Sequence, residues 1–298
     1  MSALSLRARL GLRSIVLLYL AALLLLPVGM IFYRTFEHGL SQPIHALTSP
    51  DGLHAFWLTI VCVGIAVPLN TIFGVLTALV LVRQDFRGKA LLNAAIDLPF
   101  AISPVVIGLA LFLVYAPRNS WFGGWLLDNG VQVIFSLPGM VLATIFVSLP
   151  FVVREVMPVL QEIGTDQEEA AETLGATPSQ TFRRVTLPAI RWGVTYGVVL
   201  ATARALGEFG AVSVVAGNVS GSGGTQTLPL YVKDQFDNFD LAGAYAAAIL
   251  LAILAVAVLF SMNLLQRRSA RSADGEEGVD RELPGPGVFV PQPIEKEA

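Results

Sequence analysis

Residues 56–82 read FWLTIVCVGIAVPLNTIFGVLTALVLV, without an aspartate, glutamate, lysine or arginine. A helix needs about 20 apolar residues to cross the hydrocarbon core of a bilayer, so this stretch predicts a membrane-spanning helix. Four further uncharged stretches of similar length lie at residues 14–33, 98–117, 129–153 and 241–266. A sixth apolar stretch, residues 192–216, is interrupted only by Arg204 and Glu208.

The composition of the chain also indicates a membrane protein. Hydrophobic residues make up 54% and charged residues 14% of the 298 positions, whereas a soluble domain carries about 25% charged residues. The net charge of −3 offers no basic surface for a nucleic acid. We therefore expect an all-α integral membrane protein with six transmembrane helices, surrounded by lipid and without a nucleic-acid partner. The expected spans cover about residues 14–36, 56–81, 91–115, 132–153, 192–216 and 241–265.

The placement of lysine and arginine predicts the orientation, because cytoplasmic loops carry the excess of both residues. With the N-terminus in the cytoplasm, only Arg34, Arg118 and Lys233 fall in outer loops. Thirteen basic residues then lie inside: Arg7, Arg9, Arg13, Arg83, Arg87, Lys89, Arg154, Arg183, Arg184, Arg191, Arg267, Arg268 and Arg271. Six spans place both termini in the cytoplasm. The basic head of the first span also resembles that of a signal peptide, but its length and the lack of a small-residue cleavage site favour an uncleaved anchor.

The sequence divides into three parts. Residues 1–13 form a basic cytoplasmic N-terminus, and residues 14–266 form the transmembrane domain. Residues 267–298 form an acidic tail with four glycines and four prolines. Such a segment buries no core, so we expect it to be disordered in the cytoplasm.

The longest cytoplasmic loop lies between spans four and five, and its residues 160–190 contain two helix-start signals. The first signal is the pair Thr165 and Glu168, which has the spacing of a capping box. It predicts a short helix to Leu174. Gly175 follows at the position where a left-handed glycine ends a helix.

The second signal in this loop is the pair Thr177 and Gln180, with Pro178 at the first helical position. It predicts a second helix that runs toward Leu187 and Pro188. Together the two helices form a small helix–turn–helix projection with too few apolar residues for a core of its own. It is either a docking element for a partner protein or a helix pair folded back on the ends of the spans.

The same loop carries a family resemblance. Its residues Glu169, Ala170, Ala171, Gly175, Val185, Leu187 and Pro188 resemble the EAA loop of ATP-binding cassette (ABC) importer permeases. The family usually has isoleucine at the position of Val185, and many relatives have a proline where this chain has Trp192. The resemblance implies that the loop contacts a separate ATPase subunit and transmits its closure to the spans. It also implies that this chain binds no cofactor itself and that the ATPase uses the ATP.

Two membrane segments narrow the resemblance. Residues 97–108, DLPFAISPVVIG, resemble the third-span signature of sulfate and molybdate permeases, and residues 203–211, ARALGEFGA, resemble their fifth-span signature. The continuation through residues 212–217 and 227–230 is most similar to the sulfate/thiosulfate branch of CysW type. The resemblance implies a bacterial cytoplasmic-membrane subunit, a second permease subunit of different sequence and an extracytoplasmic sulfate-binding protein. Molybdate or tungstate is the alternative substrate.

Two charged residues lie within the fifth span. Arg204 and Glu208 are four residues apart, so a helix places them on one face. Each charge alone costs about 2.5–3.5 kcal/mol at the centre of a membrane helix on insertion scales. The pair is therefore either a gate or pathway element or an ion pair that locks the helices together.

The third span has an acidic residue beside two prolines. Asp97 lies toward its cytoplasmic half, and Pro99 and Pro104 follow it. Asp97, Pro99, Ser103 and Pro104 are candidate pathway residues, because a proline kink exposes backbone that can line a pathway. The alternative is that Asp97 caps a helix that ends before Pro99.

Several sequence patterns are absent. No G-x-x-x-x-G-K-[ST] motif occurs, so we expect neither ATP hydrolysis nor catalytic residues in this chain. No zinc-type spacing occurs, and His38, His45 and His54 all lie in the first outer loop, so we expect no metal site. The glycine-rich residues 217–224 predict a plain outer loop.

Two other function classes fit the sequence less well. A secondary transporter or channel typically has an internal repeat with paired broken helices, and none is recognisable. A membrane-embedded enzyme needs a convergent set of reactive groups, for which Asp97, Arg204 and Glu208 are too few.

Overall fold

The computed structural model describes residues 6–37, 39–117, 120–217 and 224–280, with side chains between residues 11 and 261 of these ranges. Every regular element in the described residues is helical. The helices are α1 (Leu6–Phe36), α2 (Ser41–Thr48), α3 (Pro50–Arg83), α4 (Lys89–Ala101), α5 (Pro104–Tyr115), α6 (Gly123–Asp128), α7 (Leu137–Ile163), α8 (Asp166–Thr173), α9 (Pro178–Thr181), α10 (Leu187–Leu206), α11 (Gly210–Ala216), α12 (Leu228–Asp237) and α13 (Leu241–Asp280). A π-helical turn, Phe182–Thr186, joins α9 to α10.

Four helices are long and apolar enough to cross a membrane unaided: α1, α3, α7 and the first half of α13. Two further spans exist only if each of two bent helix pairs is counted as one. The pair α4 and α5 is bent by 114°, and the continuous helix Pro178–Leu206 is bent by 55° from α11. All six apolar stretches of the sequence are therefore helical, but the third and fifth are broken.

The break in the third stretch comes later than one interpretation of the sequence expected. The prediction that Asp97 caps a helix ending before Pro99 is wrong, because α4 continues through Pro99 to Ala101. The helix ends at Ile102 and Ser103, which are extended with ψ of 140° and 136°. Proline disfavours helical geometry in the residue before it. Pro104 therefore keeps Ser103 extended, separates the two helices and starts α5.

Several helix ends differ from the expected spans. The helix α3 begins at Pro50, where the Ser49 hydroxyl accepts a hydrogen bond from Gly52 N at 3.0 Å. His54 therefore lies on α3 and His45 on α2, not in an irregular loop, whereas His38 lies outside the described residues. The helix α7 starts five residues after the predicted position 132 and continues ten residues past 153.

The last helix extends into the segment predicted to be the tail. The helix α13 continues to Asp280, past the expected boundary at residue 267. Residues 267–280 are rich in arginine, alanine and glutamate, which favour helices, and contain no proline to stop a helix that enters from the membrane. Residues 281–298 lie outside the described residues.

The centre of the bundle is formed by α3, α7 and α10, which approach closely at glycines. A Cβ on Gly74 of α3 would lie 2.7 Å from Val152 Cγ1 of α7, and one on Gly197 of α10 would lie 2.8 Å from Val152 Cα. Small residues allow this backbone approach between membrane helices. Between α3 and α7, the buried Asn70 Nδ2 donates to Ser148 Oγ at 2.7 Å, a bond worth about 1 kcal/mol.

Candidate functional site

The helix α8 and its cap form the first half of the predicted helix–turn–helix projection. Gly175 has φ of +85°, its N–H donates to Glu172 O at 2.9 Å, and Ala176 N donates to Ala171 O at 3.0 Å. These two bonds form a Schellman motif, which confirms the predicted C-terminal cap. In this helix Glu169 and Ala170 are exposed and Ala171 is half-buried. Leu174, the residue that follows the end of α8, is 89% exposed.

The start of α8 is not the capping box that the sequence predicts. Thr165 has φ of −109° and ψ of −9° and makes no side-chain capping bond. Its hydroxyl instead donates to Glu169 Oε1 at 2.7 Å. Glu168 does not reach back to Thr165, because its carboxylate is bound by Arg83 and Thr186.

The second half of the projection is continuous with the fifth span. Thr177 N donates to Gln180 Oε1 at 2.9 Å, which is the backbone half of the predicted capping box. The chain then forms one continuous helix from Pro178 to Leu206, in place of a separate helix that stops near Pro188. In the π-helical turn, Leu187 N donates to Phe182 O. This wider turn accommodates Pro188, which cannot donate and would crowd a regular α-turn.

The residues of the EAA-like stretch lie on α8 and its cap, on the π-helical turn that contacts α8, and at the start of α10. Val185 is half-buried, and Leu187 and Pro188 are exposed at the beginning of α10. Ala170 and Leu174 are exposed on the preceding helix and its cap. Because α10 begins at Leu187, a partner that pushes against these residues also pushes on the fifth span.

Arg83 is a functional candidate that the sequence analysis missed. It is the last residue of α3, and its Nε lies 2.9 Å from Glu168 Oε2. Its Nη1 and Nη2 donate to Leu160 O at 3.1 Å and Gly164 O at 2.7 Å. Sequence reasoning placed Arg83 only among the predicted cytoplasmic charges, because its partner Glu168 is 85 residues away.

The candidate pathway residue Asp97 binds Arg154 of α7. Arg154 Nε donates to Asp97 Oδ1 at 2.8 Å and Nη2 donates to Oδ2 at 2.5 Å. The two side chains are 31% and 46% exposed. This two-point ion pair ties α4 to α7 instead of capping a helix.

Pro99 lines an apolar groove between α4, α5 and α7. The groove has a volume of about 620 Å³, and its wall also includes Ile102, Phe146 and Pro150. Neither Ser103 nor Pro104 lines this groove; they lie at the break between α4 and α5.

The intramembrane pair of the fifth stretch is formed. Arg204 Nη1 lies 2.6 Å from Glu208 Oε2, and the Glu208 side chain is 2% exposed. The other carboxylate oxygen accepts a hydrogen bond from Ala211 N at 2.8 Å. Glu208 therefore links the end of α10 to the first turn of α11 across the break, a position that suits a carboxylate at a helix N-terminus.

The breaks in the third and fifth stretches meet. A Cβ on Gly210 would lie 2.8 Å from Pro104 Cβ, and a Cβ on Gly108 would lie 2.7 Å from Ala211 O. The structure thus brings Pro104 next to the segment that Glu208 caps. Asp97 lies elsewhere, on α4 before the break and bound to α7.

Among the described residues, no group of three or more histidine, cysteine, aspartate or glutamate side chains is placed to hold a metal ion. Of the glycine-rich outer segment, residues 218–223 lie outside the described residues.

The sequence also matches a known protein family. Residues 70–271 match the family described as "binding-protein-dependent transport system inner membrane component". The chain belongs to this family. The match includes the EAA-like loop, both broken stretches and the pairs formed by Asp97 and Glu208.

Two curated relatives of this family member are sulfate transport system permease proteins CysW. The protein from Synechocystis is 50% identical over 256 residues, which cover 86% of this chain and 92% of the relative. The protein from Escherichia coli K12 is 49% identical over 248 residues, which cover 83% and 84% of the two chains. A crystal structure of a bacterial ABC transporter that imports alginate matches with a TM-score of 0.72 at 17% identity, covering 88% of this chain and 95% of that chain. This likeness shows the fold alone.

Proposed function

We propose that this chain is the membrane-spanning subunit of an ABC importer for sulfate or thiosulfate and forms part of the translocation pathway. Its relatives of CysW type at 49–50% identity are named for sulfate transport, which supports this substrate. In the proposed topology the chain crosses the bacterial cytoplasmic membrane six times, with each bent pair as one span. Both termini then lie in the cytoplasm, as the distribution of basic residues favours.

One structural observation carries the mechanism. The exposed helix α8 and its Gly175 cap lead into a helix that runs unbroken from Pro178 to Leu206. A separate ATPase that docks on Glu169, Ala170 and Leu174 would therefore move a helix that enters the membrane. In this mechanism the ATPase binds and hydrolyses the ATP, and this chain is a non-enzymatic transport subunit.

A movement of this continuous helix would reach the break in the fifth stretch. The continuous helix ends at Leu206, where Glu208 links it to α11 and α11 packs against α5. We propose that Arg204 and Glu208, together with Ser103 and Pro104 at the break that meets Gly210, form part of the pathway or its gate. The internal pairing of Arg204 keeps a fixed positive charge from trapping a divalent anion in the pathway.

A second membrane chain completes the transporter in this proposal. The apolar helix α1 makes few contacts with the rest of the chain, since none of the residues in its most hydrophobic stretch is buried. The apolar groove beside Pro99 is also open. Both surfaces support a second permease subunit, which we propose to be a different chain, and a sulfate-binding protein is proposed to dock on the outer face.

The experiment that tests this function is uptake of radiolabelled sulfate by cells that lack this chain. We expect loss of ATP-dependent uptake, restored by the intact gene and not by a Gly175→Pro copy. Competition with thiosulfate, molybdate and tungstate identifies the substrate. Restored uptake of molybdate in place of sulfate would move the assignment to the molybdate and tungstate branch, and uptake that persists after ATP depletion would contradict the ABC mechanism.

A further inference from the structure

Arg83 joins four structural elements through one guanidinium group. It ends α3, and it donates to Leu160 O and Gly164 O at the end of α7. It also pairs with Glu168 of α8. Glu168 in turn accepts a hydrogen bond from Thr186 Oγ1 at 2.7 Å, which adds the π-helical turn before α10.

The helix α8 depends on this contact for its position. None of its residues from Asp166 to Thr173 is buried, so no apolar core of its own fixes it. The side chains of Arg83 and Glu168 are only 17% and 18% exposed. An ion pair shielded in this way, with every partner also bound to a third group, holds its geometry better than an exposed surface pair.

The chemistry of the group suits arginine specifically. Its planar guanidinium presents five donors in a fixed fork, so it satisfies two carbonyl oxygens and one carboxylate together. The two carbonyls belong to the last turn of α7, where backbone acceptors lack partners within the helix. A lysine would place one charge without this fork.

We infer that Arg83 is a positioning residue for energy coupling: through Glu168 it makes α8 move as one body with the cytoplasmic ends of α3 and α7. This inference rests on the proposed coupling of an ATPase to α8. The continuous helix from Pro178 to Leu206 supplies one route into the membrane, and Arg83 supplies a second route into the second and fourth spans. Loss of the pair leaves α8 attached to the fifth span alone.

The first test measures distances in the purified, assembled transporter. Spin labels are placed at Gln84→Cys, just after α3, and Glu172→Cys on α8, in a Cys62→Ala background. We expect one narrow distance distribution that nucleotide binding leaves unchanged, and a broadened distribution in Glu168→Gln and Thr186→Val. These two changes leave the bonds from Arg83 to the α7 carbonyls in place, so they decide the question even where Arg83→Gln fails to assemble.

The second test measures sulfate transported per ATP hydrolysed in proteoliposomes. We expect Arg83→Gln and Glu168→Gln to lower this ratio at least about fivefold, the lower end of measured coupling between sites, while the ATPase still hydrolyses ATP. The double variant should lose no more than Arg83→Gln alone, because both changes break one interaction. Arg87→Gln and Asp85→Asn serve as matched controls, because they remove one positive and one negative charge from the exposed neighbouring loop and leave Arg83 and Glu168 intact.

The outcomes separate this inference from the proposed function. The role of Arg83 is overturned if the distance distribution is unchanged in Glu168→Gln. It is also overturned if the distribution broadens but the sulfate transported per ATP hydrolysed stays the same. A wild-type complex without ATP-driven sulfate uptake contradicts the proposed function, and the distance measurement still decides whether α8 moves together with α3.

Discussion

Asp97 and Arg154 form a two-point ion pair across 57 residues of sequence, and it fixes α4 against α7 ahead of the break before Pro104. The pair attaches α4, a helix that is bent by 114° from the next one, to α7. This arrangement gives the third stretch a fixed half and leaves α5 to pack against α11.

The first prediction concerns this pair. Asp97→Asn removes one charge and leaves Arg154 half-buried without its carboxylate, so we expect a loss of about 1–2 kcal/mol in the free energy of unfolding. The measurement is chemical unfolding of the protein in detergent. Asp97→Asn combined with Arg154→Gln should recover part of the loss, because neither charge is then left alone.

A surface pair provides the control for this prediction. Lys233 and Asp237 form an exposed ion pair on α12, so Asp237→Asn should change stability by less than about 1 kcal/mol. Equal losses in Asp97→Asn and Asp237→Asn would contradict the structural role given to the bond with Arg154.

The second prediction separates the two interpretations of Glu208. Glu208→Gln keeps an oxygen for Ala211 N but leaves Arg204 uncompensated, so we expect transport to fall at least about fivefold while the protein still inserts. The measurement is sulfate uptake at equal membrane abundance. Uptake at the wild-type rate would exclude a gating role.

A double variant decides between gate and structural pair. If Arg204 and Glu208 only compensate each other, Arg204→Gln with Glu208→Gln should regain uptake, since no unpaired charge is left in the membrane. If they form the gate, uptake should stay low although stability recovers.

The third prediction concerns Gly175. Its φ of +85° costs other residues about 1–2 kcal/mol, asparagine less than most, and proline cannot adopt it. We expect Gly175→Asn to couple normally and Gly175→Pro to uncouple ATP hydrolysis from uptake. The measurement is ATPase activity and uptake in the same vesicles. A Gly175→Pro transporter that assembles and stays coupled would refute the docking role of this cap.

The fourth prediction tests the contact between the two broken stretches. A Cβ on Gly108 would lie 2.7 Å from Ala211 O, a backbone atom that cannot rotate away. We expect Gly108→Ala to destabilise the protein by about 1–3 kcal/mol. Gly64→Ala on α3 is the control, because nothing lies within 4 Å of its Cβ position, and a helix slightly favours alanine. Thermal unfolding in detergent compares the two, and equal midpoints would contradict the close approach of α5 and α11.

The sequence predicted those features that depend on local chemistry. Uncharged stretches of membrane length became helices because the bilayer requires it, and Gly175 ended α8 because few other residues accept its backbone geometry. The pairing of Arg204 with Glu208 was predicted from helical spacing, and it is present although Glu208 lies in the break after α10 ends at Leu206. These signals lie within about ten residues of one another.

Features that depend on distant partners could not be predicted. Glu168 has the spacing of a capping box, but in the folded chain its carboxylate binds Arg83 and Thr186 in place of the backbone of Thr165. Pro99 and Pro104 each disfavour a helix locally, yet the break falls only at Pro104, which packs against Gly210 from the distant fifth stretch. The continuation of α9 through Pro188 required a π-helical turn, for which the sequence carries no simple signal.

The central claim is tested most directly by reconstitution. This chain, its partner permease and its ATPase are placed in proteoliposomes with loaded sulfate-binding protein outside and ATP inside, and labelled sulfate is followed into the lumen. We expect uptake that requires ATP, this chain and an intact Gly175, and that stops when ATP is replaced by a non-hydrolysable analogue. Sulfate uptake at the same rate without ATP, or with the Gly175→Pro chain in an assembled complex, would contradict the account.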